Sequence, residues 1–157
     1  MTGQIKYVDG ADAEWWEVDG KFHREDGPAW ISKVNGSKQW YRHGQIHRDG
    51  GPACESPDGE TSWWQNHQFH REDGPALFKP DGVRQWFFRG KCHREDGPAL
   101  YVEGKEDQGD WYLHGRKLDG AEIEAQKMRI EGKRMAKALV EGLPEPVRAL
   151  KPLKFGI

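Results

Sequence analysis

The sequence predicts a mainly β protein, in which an elongated, twisted antiparallel sheet of repeated β-hairpins is followed by a C-terminal α-helix. One phrase recurs, as HREDGPA at 23–29, 70–76 and 93–99 and as HRDGGPA at 47–53. A Trp stands seven residues before each phrase, and Trp111 precedes a degraded fifth copy. A fixed period of about 20 to 50 residues is the signature of repeat arrays, in which each repeat buries its apolar face on its neighbours. Residues 1–120 are therefore predicted to hold about four and a half repeats.

Turn signals divide each repeat into strands. His43-Gly44 and Arg89-Gly90 follow Trp segments, and Asp58-Gly59 lies between two successive phrases. Gly, Asn and Asp accept the positive φ that two-residue hairpin turns require. Each repeat is thus predicted to contain two short strands. The recurring phrase is predicted to form a corner, where Gly supplies an unusual backbone angle and Pro fixes its own.

The pattern changes after residue 120. Residues 121–143 lose the turn residues, and small or apolar side chains recur at intervals of three and four, which predicts an amphipathic helix. The stripe consists of Ala125, Met128, Gly132, Met135, Leu139 and Leu143. We expect this helix to pack on the sheet as a cap. Residues 144–157 include three prolines and are expected to form an extended or loose tail.

Composition and charge exclude several classes of protein. Hydrophobic residues make up 35% of the chain, and the formal net charge is −2. Residues 1–120 carry 16 Lys and Arg against 21 Asp and Glu, so we expect no nucleic-acid partner. We expect no signal peptide and no membrane segment. Cys54 and Cys92 take the places of apolar residues in other repeats, so we expect buried free thiols and a cytoplasmic protein.

The His-Arg pairs of the phrases are the residues that could carry chemistry. A catalytic site needs one unusual constellation, whereas this cluster recurs, so we predict no catalytic residue and no enzyme. Two interpretations stay open. In the first, each His packs beside an aromatic ring and each Arg pairs with a nearby carboxylate. In the second, the His-Arg pairs form a row that binds an acidic surface or phosphate. The residues concerned are His23, Arg24, His47, Arg48, His70, Arg71, His93 and Arg94.

No metal or cofactor is predicted. The sequence has 7 His, but they lack the close spacing of zinc ligands, and Cys-x-x-Cys pairs are absent.

A second aromatic face is predicted from the residues that follow the Trp ladder, because side chains alternate across a strand. If the helix covers this face, its residues are core; if not, they form an exposed strip of the kind that binds proteins. Open strand edges would also allow a homodimer. The predicted partner-binding residues are Tyr41, Trp64, Phe87 and Tyr112, with Arg42 and Arg84 at positions that vary between repeats.

Residues 5–120 resemble the MORN repeat group, especially its bacterial variant in antitoxin-like proteins, in their aromatic residue, turn Gly and Gly-containing corner. The segment QIKYVDG resembles a worn first half-repeat, while Trp and HREDGPA stand where the usual MORN repeat has Tyr and more Gly. The phrase is also similar to that of small repeat proteins from bacteriophages and their hosts.

The resemblance implies an inhibitor or antitoxin-like role. The predicted function is therefore a non-enzymatic protein-binding module that neutralises a bacterial protein, either a toxin or a defence component, by occlusion. If the protein is phage-encoded, the resemblance implies that it acts in the cytoplasm of the host cell. The alternative is sequestration of a small phosphate-bearing ligand such as a signalling nucleotide, with aromatic rings stacking on the base and Arg holding phosphate.

Overall fold

The computed structural model describes residues 4–142 and consists of short antiparallel strands followed by one long helix. The chain divides into two compact units, with the boundary between Leu118 and Asp119. The helix α1 spans Gly120–Gly142, and a 3-10 turn spans Glu106–Gln108. The strands are β1 (Lys6–Asp9), β2 (Ala13–Val18), β3 (Lys21–Phe22), β4 (Trp30–Ser32), β5 (Lys38–Gln39), β6 (Tyr41–Arg42), β7 (Gln45–Ile46), β8 (Cys54–Glu55), β9 (Thr61–Ser62), β10 (Trp64–Gln65), β11 (Gln68–Phe69), β12 (Leu77–Phe78), β13 (Val83–Gln85), β14 (Phe87–Phe88), β15 (Lys91–Cys92), β16 (Leu100–Val102), β17 (Tyr112–Leu113) and β18 (Arg116–Lys117).

A single open sheet runs through the repeats. Its order is β1-β2-β4-β5-β8-β9-β12-β13-β16, with β3 paired to β2. Each repeat adds two neighbouring strands, such as β8 and β9, so successive repeats are offset by about 10 Å. The predicted mainly β fold of repeated hairpins with a C-terminal helix is confirmed. A homodimer through the outer strands stays a prediction.

Each full repeat holds four strands rather than the predicted two. After Trp40 the chain leaves the long sheet and forms the separate hairpin β6-β7. At the interruption, both backbone groups of the Trp are hydrogen-bonded to the corner that follows it. The Trp40 amide donates to the Ala53 carbonyl (2.8 Å), and the Trp40 carbonyl accepts from the His47 amide (3.1 Å). Trp63 and Trp86 repeat this arrangement before β10-β11 and β14-β15.

The hairpin turns match the predicted two-residue connections. Asp19 and Gly20 have φ of 51° and 72°, and the same left-handed pair recurs in later repeats, so the turns have the twist that a tight hairpin needs. Adjacent hairpins are also linked to each other. The Gly44 amide donates to the Phe22 carbonyl (2.8 Å), and the Gly90 amide donates to the Phe69 carbonyl (2.9 Å).

The core combines small side chains, one set per corner, with the larger Trp111 and Leu118. The Ala that ends each corner is completely buried, and two serines of the long sheet, Ser32 and Ser62, are buried as well. A core of alanines brings the sheet and the corner backbone close together, which explains how a chain with few hydrophobic residues folds. The fully buried alanines are Ala29, Ala53, Ala76 and Ala99.

The helix begins at a capping box. The Glu122 amide donates to the Asp119 carboxylate (2.9 Å), and the Asp119 amide donates to the Glu122 carboxylate (3.0 Å). Met128, Met135 and Leu139 of the predicted stripe are 74%, 59% and 70% exposed. The prediction of a buried stripe is therefore wrong for these three side chains. The covering of the sheet by the helix stays a prediction, and the predicted tail, 144–157, lies outside the described residues.

Both cysteines are free, as predicted, but half-buried rather than buried. Burial raises the pKa of the Cys54 and Cys92 thiols. Among residues 4–142, none of the helices is long and apolar enough to cross a membrane.

Candidate functional site

The four recurring phrases, at 23–29, 47–53, 70–76 and 93–99, form the corners of successive repeats, and together we name them the corner row. In each corner the Arg lies over the Trp ring of its own repeat. The distance from the guanidinium carbon to the ring centroid is 3.9 Å for Arg24 on Trp16 and 4.3 Å for Arg94 on Trp86. Arg48 and Arg71 stack in the same way on Trp40 and Trp63. The Trp ladder thus provides one cation–π contact per repeat.

The corner Arg is also held by hydrogen bonds. Arg24 Nε donates to Asp26 Oδ1 at 2.7 Å, and Arg71 Nε donates to Asp73 Oδ1 at 2.8 Å. The Arg24 guanidinium thereby lowers the pKa of the Asp26 carboxyl, and Arg71 does the same for Asp73. Arg94 pairs with Asp96 at 2.7 Å. Each of these arginines therefore binds a carboxylate of its own corner.

In the second corner, the Arg has different hydrogen-bond partners. In HRDGGPA, Gly50 replaces the Asp that pairs with Arg in the other corners, and its φ is 72°. Arg48 instead donates to Glu55 Oε1 (2.7 Å) and to the Pro52 carbonyl (2.9 Å). The preceding Asp49 accepts from Arg42 at 3.0 Å. The stacking of Arg on Trp is thus kept although a different carboxylate pairs with the Arg.

The Gly before Pro in each corner serves a close approach rather than the unusual φ expected from the sequence. A Cβ on Gly74 would lie 2.6 Å from the Arg71 guanidinium carbon, and one on Gly97 would lie 3.0 Å from that of Arg94. Neither Gly has a positive φ. The guanidinium therefore lies between a Trp ring and a backbone segment without a side chain.

The corner His binds the next repeat. His23 Nδ1 accepts from the His43 amide, and His70 Nδ1 accepts from the Arg89 amide, both at 3.1 Å. The donating amide belongs to the first turn residue of the following hairpin, where φ is 49° for His43 and 48° for Arg89. A ring nitrogen that accepts is unprotonated, so the neutral ring carries its proton on Nε2. His47 and His93 make the equivalent contact.

Two of these histidines also stack on a second His. His23 lies on His43, and His93 lies on His114, with 4.3 Å between ring centroids in each pair. Burial, and then the facing His43, lowers the pKa of His23; burial and His114 lower the pKa of His93. These contacts agree with the structural interpretation of the His-Arg pairs. Their proposed binding of an external ligand stays a prediction.

The predicted aromatic strip is half-buried. Tyr41 contacts Phe22 with 5.1 Å between ring centroids, and Phe69 lies between Trp64 (3.7 Å) and Phe87 (4.9 Å). These rings pack on one another along the row of short hairpins, where the predicted Tyr112 is half-buried too. The rings of the strip are thus neither fully covered, as core residues would be, nor fully exposed.

The two predicted arginines differ in accessibility. Arg42 is exposed, whereas Arg84 is only 7% exposed and lies over the Phe78 ring. Arg84 also pairs with Glu103 and donates to the Lys79 carbonyl (3.1 Å). The structure therefore corrects the expectation that Arg84 contacts a partner, because its guanidinium is used inside the sheet.

Grooves lie between consecutive corners. One has a volume of about 540 Å³ and lies between corners 70–76 and 93–99; the other, about 430 Å³, lies between corners 23–29 and 47–53. Trp86 and Phe88 line the first, and Trp40, Tyr41 and Arg42 line the second. The same combination of Trp, Arg and carboxylates thus recurs in two places.

Exposed carboxylates are the feature of these grooves that the sequence interpretation missed. The side chains of Glu25 and Glu72 are 80% and 78% exposed, and those of Asp26 and Asp73 are 81% and 82% exposed. The sequence does contain a pattern that indicates them, since Glu and Asp stand side by side in three of the four phrases. The sequence could not show that Arg turns inward and these two residues outward.

Within the described range, 4–142, no group of three or more His, Cys, Asp or Glu side chains is arranged to hold a metal ion. No family model matches this chain, and neither a curated protein nor a solved structure was found to be similar to it. The likeness to the MORN group stays a prediction.

Proposed function

We propose that this chain is a non-enzymatic protein-binding repeat module whose corner row contacts a basic surface of its partner. The observation that carries the proposal is the recurrence of one groove between different pairs of corners, lined each time by Trp, Arg and exposed carboxylates. Catalytic sites are single, whereas binding surfaces of repeat proteins are built from equivalent positions on successive repeats.

The charge of the corner row supports a basic partner. Arg24, Arg71 and Arg94 are already stacked on Trp and paired with Asp, and the side chains of Arg24 and Arg71 are only 23% and 26% exposed. The neighbouring Glu25 and Glu72 face solvent. The outward charge is therefore acidic, which favours encounter with Lys and Arg of a partner.

The spacing of the corners indicates how positive charges should be spaced in the partner. Successive corners are offset by about 10 Å, because each repeat adds two strands. A polyproline II segment advances about 9 Å in three residues, and because three residues make one turn, every third side chain lies on the same side. A segment with Lys or Arg at every third residue would place one positive charge at each corner.

Two residues predicted from the sequence as partner contacts, Tyr41 and Arg42, line the smaller groove. Tyr and Arg are favoured anchors in protein interfaces. Both belong to one repeat, where Tyr41 would add an anchor for a basic partner and the charge of Arg42 is balanced by its pair with Asp49.

The proposed role extends to inhibition by occlusion of a bacterial toxin or defence component, as the resemblance implies, and to a cytoplasmic location. Two free cysteines support a reducing compartment. The alternative, capture of a phosphate-bearing ligand, has less support, because the corner arginines are engaged and exposed carboxylates surround them. Carboxylates at a phosphate site cost affinity.

Affinity capture tests the protein-binding proposal. The tagged chain is exposed to a bacterial lysate, and retained proteins and released nucleotides are identified by mass spectrometry. The variant E25K/E72K is expected to lose the retained protein, whereas D12K/D107K, which reverses two exposed acidic residues outside the corners, is expected to keep it. A released nucleotide without a protein partner would support the alternative instead.

A peptide titration tests the chemistry of the partner. A synthetic peptide with Lys at every third residue is expected to bind at low salt, and a peptide of the same composition with irregular Lys spacing is expected to bind at least about tenfold more weakly. E25K/E72K should abolish the difference. Equal affinity for both peptides would show that charge alone, without the spacing of the corners, attracts them.

A further inference from the structure

The exposed stripe of α1 consists of Ala125, Met128, Gly132, Met135 and Leu139. Met128 and Leu139 are 74% and 70% exposed, and nothing lies within 4 Å of the position that a Cβ on Gly132 would occupy. Gln126, the most buried residue of the helix at 6% exposure, lies about 160° around the helix axis from Met128. The apolar stripe thus faces away from the buried side of its own helix.

The stripe follows a heptad pattern. Ala125, Gly132 and Leu139 stand seven residues apart, and Met128 and Met135 stand three residues after the first two of them. Such alternation by three and four is the pattern of the a and d positions of a coiled coil, where one helix packs along another. The helix spans 23 residues, about 34 Å, so the stripe covers more than two heptads.

Flanking charges indicate which helix fits this stripe. With Ala125 at position a, Glu124 is at g and Arg129 is at e. In a parallel, in-register pair, g of one helix faces the e position five residues later in its partner, so Glu124 would meet Arg129 of the other helix. Arg129 makes no ion pair among the described residues, and Glu124 has only the exposed i,i+3 pair with Lys127.

An antiparallel pair would be disfavoured by the same charges. It brings g positions together, so that Glu124 and Glu131 of the two helices would repel each other. In a parallel pair the adaptable Met side chains at d pack on the same Met side chains of the second copy, and Leu139 at a packs on its own equivalent. The charges therefore favour a second copy of this helix in parallel orientation.

We propose that this chain forms a parallel homodimer through the exposed stripe of α1. The contact uses residues of α1, none of which belongs to the corner row. A symmetric dimer doubles the number of corner rows, which would raise the avidity for a partner that carries more than one basic segment.

Sedimentation analysis of the full chain tests the dimer. We expect a mass of twice 18.1 kDa that falls to 18.1 kDa on dilution. M128K/M135K should give only the monomer, because Lys would be desolvated in the contact. V140K, a control on the same helix but off the stripe at 51% exposure, should still dimerise. A monomer at every concentration up to about 1 mM, or a dimer unaffected by M128K/M135K, would overturn the proposal.

Charge exchange and cross-linking test the orientation. Glu124→Arg or R129E alone is expected to weaken the dimer about tenfold or more, and the double variant E124R/R129E should restore it. Met128→Cys should cross-link two copies under mild oxidation, because d positions face each other in a parallel pair, while Val140→Cys should not. A dimer that does not cross-link through residue 128, or that E124R/R129E fails to restore, would contradict the parallel arrangement.

Discussion

At the scale of the residue, the corner phrase is a set of side chains that hold one another. Arg71 lies over Trp63, donates to Asp73, and fills the space above Gly74, where a Cβ would be 2.6 Å from the guanidinium carbon. The repeated His-Arg-Glu-Asp-Gly sequence is thus explained by packing of the guanidinium on an aromatic ring. Of its charged residues, Glu72 is 78% exposed and remains available to a partner.

Gly74→Ala is expected to lower the free energy of unfolding by about 1 kcal/mol, because the new methyl group displaces Arg71 from the Trp63 ring. Urea unfolding followed by Trp fluorescence measures this change. The matched control is the same substitution in an Arg71→Ala background, where no guanidinium remains to be displaced. An equal loss in both backgrounds would show that the Arg stack is not the reason for Gly.

At the scale of the element, neighbouring hairpins are interlocked by the corner His. His93 Nδ1 accepts from the His114 amide at 3.1 Å, and the two rings stack. His23 and His43 make the same two contacts three repeats earlier in the chain. Protonation of Nδ1 would remove the acceptor and place positive charge against a second imidazole. The short hairpins are therefore held to each other by neutral histidines.

The stability of the array is expected to fall on mild acidification. The pKa of His23 and His93 is lowered in the folded chain by burial and by the facing His43 or His114. As the pH falls below about 6.5, the unfolded chain binds these protons first, so the free energy of unfolding is full above this pH and decreases below it. Urea titrations at several values between about pH 7.5 and pH 5.5 measure the slope.

The double variant H23N/H93N is expected to reduce this slope, since it removes the two histidines whose pKa is lowered. A wild-type free energy of unfolding that stays constant over the same pH range would contradict the interlock. The Asp26 and Asp73 carboxyls, whose pKa is also lowered, lose their stabilising ionisation only at still lower pH, so they do not obscure the His transition.

At the scale of the whole molecule, the sheet unit behaves as a linear series of equivalent repeats. Each repeat contacts the next through two strands of the long sheet, through the corner Arg amide and through the corner His. Because contacts of this kind join only neighbouring repeats, the free energy of unfolding of the sheet unit is close to a sum of contributions from single repeats and from the interfaces between them. The proposed dimer contact on α1 would give the chain a second means of association.

Deletion of residues 70–92, one complete period of 23, is expected to leave a folded but less stable chain. Phe69 would then precede His93 as it now precedes His70, and β16 could pair with β9 in place of β12. Circular dichroism and the midpoint of urea unfolding report the retained fold and the lower stability. Removal of residues 70–81, about half a period, is the control and should abolish folding, because it breaks the alternation of corner and hairpin.

The sequence by itself determined the repeat, the hairpin turns and the helix. The phrase and its Trp recur at a fixed period, turn pairs such as Asp19-Gly20 accept a positive φ, and intervals of three and four define α1. These features are local, since each depends on residues close together in the chain. The sequence also pointed to the corner as the place where unusual residues gather, and two of its predicted contacts, Tyr41 and Arg42, line a groove.

Only the tertiary structure decided which way the side chains face. It separated most repeats into a long-sheet pair and a short hairpin, with the corner backbone bonded to Trp40 and its equivalents between them. It also turned the corner Arg inward and Glu72 outward, buried Arg84, and exposed Met128. Direction depends on contacts within a repeat, such as Arg71 on Trp63, and on contacts between repeats, such as Arg84 with Glu103. A one-dimensional pattern shows the period of those contacts but not their geometry.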